Sequence, residues 1–221
     1  MKFKHCLALA AATLSLAAQA ASYEQNLISN GNAENGVSGW TAFDGYDLFQ
    51  SVSYGSNWVL PTQPGPVDRG SKMFTGVGGQ SAGFQTIDVS SLTASGAPIE
   101  YSLTGWLGGW QSQGDNALLY VSFLDITGHE IGFAAIGPVT PGDRGNQTGL
   151  FFREASGVLP VGVAQLQFSL SMERLGGGDN DGYADNLSFV LTSPVPEAGS
   201  LAYALAGLGI VGLIARQRRR A

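Results

Sequence analysis

Cysteine and histidine are nearly missing from this chain of 221 residues, which has one Cys and two His. Cys6 lies in an apolar stretch at the N-terminus, so the body of the chain has neither disulfide nor thiol chemistry. His5 is also N-terminal. That leaves His129 beside Thr127-Gly128, where a solvated turn side chain is the ordinary reading. Basic residues are scarce too. Between Ala21 and Pro194 there are five (Arg69, Lys72, Arg144, Arg153, Arg174) against sixteen acidic ones, a formal net charge of −11. Phosphate recognition needs a basic footprint, so a nucleic-acid partner is excluded. No His-Glu-x-x-His helix or phosphate loop is present. Sustained helical stripes are lacking, and long hydrophobic runs occur only at the two ends.

Those ends read as addresses. Lys2, Lys4 and His5 precede an apolar stretch from Cys6 to Ala18, and Ala18-Gln19-Ala20 is a small-x-small cleavage site. Residues 1–20 therefore form a secretory signal peptide, which implies Sec-type export. At the other end, Pro196-Glu197-Ala198 precedes an apolar segment over 199–215 and a basic tail over 216–221 containing Arg216, Arg218, Arg219 and Arg220. The 18 residues from Ala198 to Ala215 span roughly 27 Å as a helix, close to the ~30 Å hydrocarbon core. This is one C-terminal transmembrane helix. The arginines favour the cytoplasmic side and leave the body of the chain outside the inner membrane.

The three parts together resemble the PEP-CTERM sorting signal of Gram-negative bacteria, over 195–221. In that family a Pro-Glu-Pro motif, a transmembrane helix and a basic end are recognised by exosortase, a membrane-embedded cysteine transpeptidase. Here Ala198 stands at the third motif position. The resemblance implies a protein that is transiently anchored in the inner membrane, then processed for the cell surface or the extracellular space. Such proteins often occur where exopolysaccharide is made.

The body, residues 21–194, is patterned with a period of two. Leu166, Phe168, Leu170 and Met172 alternate with polar residues, as do Ile99, Tyr101 and Leu103. Leu119, Val121 and Phe123 return through Thr127-Gly128 to Ile131 and Phe133, a predicted hairpin, and Leu187, Phe189 and Leu191 form a last strand. The fold class is all-β, an antiparallel β-sandwich of jelly-roll type. Asp143-Arg144-Gly145 reads as a turn, with Arg144 paired locally to an acid and contributing under about 1 kcal/mol.

Asn26 to Gly36, followed by Gly39-Trp40, resembles the first strand of galactose-binding-like jelly rolls, which include carbohydrate-binding modules. Asp185-Asn186 entering the final strand fits the same family. The resemblance implies that the first and last strands are neighbours tied by a structural calcium ion, with Glu34 and Asp185 as its carboxylate ligands. A second acidic group, Asp179-Asn180-Asp181 in a glycine-rich loop, is a weaker metal site because position 190 is valine where an EF-hand loop needs its glutamate.

Aromatic residues point to a ligand, because sugars stack their apolar faces on rings while polar neighbours bond the hydroxyls. Trp106 and Trp110 flank Leu107-Gly108-Gly109 and precede Gln111, Gln113, Asp115 and Asn116, with Tyr46 and Trp58 as remoter contacts. Two function classes follow. One is an extracellular module binding polysaccharide, such as the producer's own biofilm matrix. The other is a structural spacer without a small ligand. Glycoside hydrolysis, which needs only two carboxylates, is a remote third, and the chain is read as a non-enzyme.

Overall fold

The structure, a computed structural model, describes residues 21–55 and 57–193. The signal peptide, the sorting motif, the 199–215 segment and the basic tail lie outside these residues. No helix among the described residues is long and apolar enough to cross a membrane.

Alternating side chains build two facing sheets. The strands are β1 (Thr41–Ala42), β2 (Gln50–Ser53), β3 (Lys72–Thr75), β4 (Gln80–Asp88), β5 (Glu100–Gly109), β6 (Asn116–Leu124), β7 (Glu130–Ile136), β8 (Gly149–Val158), β9 (Gln165–Glu173) and β10 (Tyr183–Thr192). One helical turn, α1 (Ser90–Thr93), follows β4. The first sheet has the order β1-β4-β9-β6-β7, the second β2-β3-β10-β5-β8, and every strand pair is antiparallel.

The period-two readings correspond to β5, to β9, to β10 and to the β6–β7 hairpin. Along β9, Leu166, Phe168, Leu170 and Met172 are buried and their neighbours are not. They meet Leu103, Leu107, Leu187, Phe189 and Leu191 of the opposing sheet in the core. Each such side chain contributes roughly 1.5–3 kcal/mol by leaving water. Trp40 closes the core edge-on against Phe49 and Phe74, at 5.3 and 6.0 Å between ring centroids.

The N-terminal segment lies against β10. It does so through an isolated bridge, Asn26 to Val190, and not as a regular strand. Leu27 N–H donates to Phe189 O at 2.8 Å, and the Asn26 carboxamide oxygen accepts from Ile28 and Phe189, each at 3.0 Å. Gly31 is required at this contact, because a Cβ there would run into the Leu187 carbonyl. β10 ends at Thr192, and Ser193 N–H donates to Glu24 Oε1 at 2.9 Å. Both chain ends thus leave the domain at one pole of the sandwich. The opposite pole carries the ends of β5 and β9 and the start of β10. The ten residues of β5 separate the two poles by roughly 30 Å.

Candidate functional site

Side chains alternate across β5, so Leu103 and Leu107 point into the core and Trp106 stands on the outer face. The register sets Trp106 opposite Phe152 of β8 and Asp185 of β10. Trp106 and Phe152 meet edge-on at 5.7 Å, and Phe152 is 45 % exposed. Towards the far pole the same face carries a second small core of Val59, Met73, Leu150 and Tyr183, against which Tyr54, Trp58, Trp106 and Trp110 pack. Trp58 stands edge-on to Tyr183 at 6.4 Å. Three of the four aromatic residues expected to meet ligand therefore share one face. Tyr46 does not. It is 45 % exposed in a turn whose N–H bonds to Phe43 O.

At the far pole an open cleft of about 320 Å³ is lined by Asn57, Trp110, Gln113, Gly178, Asp179 and Asp181. Two buried charges hold its walls. Arg144 is 2 % exposed, and its guanidinium donates to the carbonyls of Val139 (2.9 Å), Gln111 (2.9 Å), Gln113 (2.8 Å), Gln147 (3.3 Å) and Trp110 (3.4 Å). It fixes the turn that carries Trp110 and Gln113. Asp115, fully buried, accepts from Leu175 and Gly176 N–H at 2.7 Å each and from Asp181 N–H at 3.0 Å, so it fixes the glycine-rich loop opposite.

The expectation of a surface Arg144 paired with an acid is thereby corrected. Asp143 instead accepts from Thr140 and lies 3.8 Å from Arg153. Arg144 turns inward because the loop ends around it leave carbonyls that only a five-donor fork can serve together.

The cleft is acidic. Asp181 accepts from the Tyr183 hydroxyl at 2.6 Å, and burial pushes its carboxyl above the usual range, with repulsion from Asp115 and Asp179 adding to the rise. Asp179 makes no side-chain hydrogen bond or ion pair among the described residues. Gln113 Oε1 is buried and also lacks a partner. Its amide lies so close to Gly177, at φ +63°, that a Cβ there would sit 2.7 Å from Oε1.

Glu34 and Asp185 lie elsewhere, where the first segment meets β10. Glu34 accepts from Ser71 N–H (2.7 Å), Ser71 Oγ (2.7 Å) and Lys72 N–H (2.8 Å), and the Ser71 hydroxyl above all holds its carboxyl below the ordinary value. Asp185 is fully buried and accepts from the Tyr54 hydroxyl and from Asn186 N–H. Burial pushes its pKa up to about 7, with lesser repulsion from Glu34 and Asp68. Calcium requires six to eight oxygen ligands. Both carboxylates are already engaged by protein donors, and among the described residues no group of three His, Cys, Asp or Glu assembles to hold a metal ion. In this structure the tie between the two segments is made by hydrogen bonds.

The fold is thus an all-β, two-sheet antiparallel sandwich. Residues 194–220 match the PEP-CTERM protein-sorting motif, which implies exosortase processing, export and a cell-surface or extracellular destination. No protein of curated function matches the sequence. Among solved structures, the enzymatically active domain of tailspike protein 4 from bacteriophage CBA120 is similar at 18 % identity and TM-score 0.51, over 75 % of this chain and 21 % of the tailspike. The chain spans about a fifth of the tailspike's length, and the likeness extends to the fold alone. A family 16 carbohydrate binding module-2 aligns at 24 % identity and TM-score 0.48, over 75 % of this chain and 99 % of the module. TmCBM61 in complex with beta-1,4-galactotriose aligns at 18 % identity and TM-score 0.46, over 77 % and 99 %.

Proposed function

We propose that this is an exported, non-catalytic protein that binds polysaccharide through the Trp110 cleft. It is held at the inner membrane by the 199–215 segment until exosortase releases it into an exopolysaccharide matrix. The observation that carries the reading is the cleft itself, where an indole, two carboxamides and two carboxylates converge on loops locked by buried Arg144 and Asp115. Rigid placement of a ring and a few polar groups is what a sugar site needs, because ordering loops at binding would subtract from affinity. The cleft also lies at the pole remote from Ser193, so a tethered chain presents it away from the bilayer.

Trp110 is partly packed against the Val59, Met73, Leu150 and Tyr183 core, and that observation favours the second reading, a structural spacer. A panel of immobilised glycans separates the two. Full-length protein in a non-glycosidic detergent should be retained by at least one polysaccharide and released by its soluble oligomer. Uniform absence of retention, with an intact β-type circular dichroism spectrum, supports the spacer.

A further inference from the structure

Resting on the reading of 199–215 as a membrane segment, we propose that the pole beside Ser193 docks on the bilayer through an apolar surface, and that the lipid it takes is zwitterionic. Ile126 and Val161 are each 83 % exposed. They crown the β6–β7 turn and the β8–β9 loop, which lie at that pole with the start of β5 and the end of β10, where Glu100 pairs with Val158 and Thr192. Val158 and Ile131 are exposed beside them. A shallow apolar pocket of about 120 Å³, lined in part by Ala97, Pro98, Leu159 and Pro160, continues the surface.

Both tips are held in place. The Asp125 carboxylate accepts from Thr127 N–H (2.8 Å) and His129 N–H (3.0 Å), which fixes the turn that presents Ile126. Leu159 N–H donates to Ile99 O at 2.9 Å, Thr93 Oγ1 donates to Val163 O at 2.7 Å, and a Cβ on Gly132 would lie 2.9 Å from Pro160 Cγ, so the β8–β9 loop rests on its neighbours.

What covers this surface follows from where the chain goes next. Five residues, 194–198, separate Ser193 from the apolar segment, a reach of at most about 20 Å, of which the headgroup layer takes about 5–8 Å. The pole therefore stays close to the bilayer. Valine and isoleucine tips gain from burial at the headgroup boundary even where each alone binds weakly, because the tether holds them at high local concentration. Two copies anchored side by side keep these poles turned to the bilayer and cannot bring them face to face. Glu24, Asp88, Glu100, Asp125 and Glu130 stand around the pole with no Lys or Arg among the described residues there, so anionic lipid is repelled.

The test is fluorescence quenching on the full-length chain, carrying Cys6→Ser, floated with vesicles of phosphatidylethanolamine and phosphatidylcholine. A fluorophore is attached in turn to Ile126→Cys, Val161→Cys and, at the far pole, Ser112→Cys. Lipids spin-labelled high on the acyl chain should quench the first two by about half and leave the third unchanged. Val161→Asn should weaken quenching of the Ile126→Cys label at least twofold, and so should replacing half of the lipid with phosphatidylglycerol. Undiminished quenching in Val161→Asn would reveal mere nearness imposed by the tether and overturn the docking. Undiminished quenching with phosphatidylglycerol overturns the zwitterionic preference. Floated protein whose two near-pole labels stay unquenched overturns the docking and leaves the anchor standing. Shielding of those labels only in membranes containing exosortase, or only at high protein density, overturns it too and transfers the surface to that enzyme or to a second copy. Protein that fails to float overturns the anchor reading itself.

Discussion

Replacing Arg144 by methionine keeps most of the buried volume and removes every donor of the guanidinium. Five carbonyls lose a contact. The contacts to Trp110 and Gln147, at 3.4 and 3.3 Å, are long, and Trp110 O also accepts from Gln113 N–H at 3.0 Å. The carbonyls of Val139, Gln111 and Gln113 depend on Arg144 at 2.8–2.9 Å. An acceptor left buried and unpaired costs about 1–3 kcal/mol, and part of the loop will relax towards water, so the loss should be roughly 3–5 kcal/mol. At roughly 2–4 °C per kcal/mol for a domain of this size, the melting temperature should fall by about 10 °C. Thermal unfolding followed by circular dichroism reads this directly, with the exposed Asp143→Asn variant expected within about 2 °C of wild type. A fall of under about 2 °C in Arg144→Met would mean that the guanidinium is solvated, and the account of the cleft walls would be wrong.

Asp185 titrates in the fold at about 7 against an ordinary carboxyl near 3.8, so the folded state holds a proton that the unfolded chain has released. Its contribution is fullest in acid and is lost as pH rises from about 4 to 7. The melting temperature should therefore decline between pH 5 and 8, and Asp185→Asn should flatten that decline; parallel profiles would refute the assignment. Gly31→Ala drives a Cβ into the Leu187 carbonyl and should cost more than about 2 kcal/mol in urea unfolding, so a neutral variant would show that the N-terminal clasp is loose. Addition of EDTA should leave the melting temperature within about 2 °C, whereas a rise of 5 °C or more with millimolar calcium would show that Glu34 and Asp185 belong to a calcium cage.

Much of the sandwich was legible because burial on one face writes itself as a period of two, and β5, β6, β9 and β10 keep that period, whereas in β7 the apolar Ile131 and Phe133 are 38 % and 60 % exposed and Ala134 and Ile136 are the buried pair. β2 and β3 are four residues each, too short to display it. Trp106 and Trp110 announced their segment, with Gln113 just beyond. Asn57 gave no signal, since a loop distant in sequence brings it to the cleft. Asp179 and Asp181 were legible as an acidic loop, but their facing Trp110 depends on Asp115 gripping three backbone N–H groups across 60 to 66 residues. Arg144 was misread for the same reason. Its partners are backbone carbonyls, which every residue has and no pattern of side chains reveals.

The most direct test of the account is the affinity of the Trp110→Ala chain for whichever oligosaccharide the wild type retains, measured beside Trp106→Ala. Loss of a central indole should cost about 2 kcal/mol, roughly a thirtyfold weakening, while Trp106→Ala, outside the cleft lining, should change affinity less than threefold. Unchanged binding by the Trp110 variant, with its fold intact, would contradict the assignment of the site.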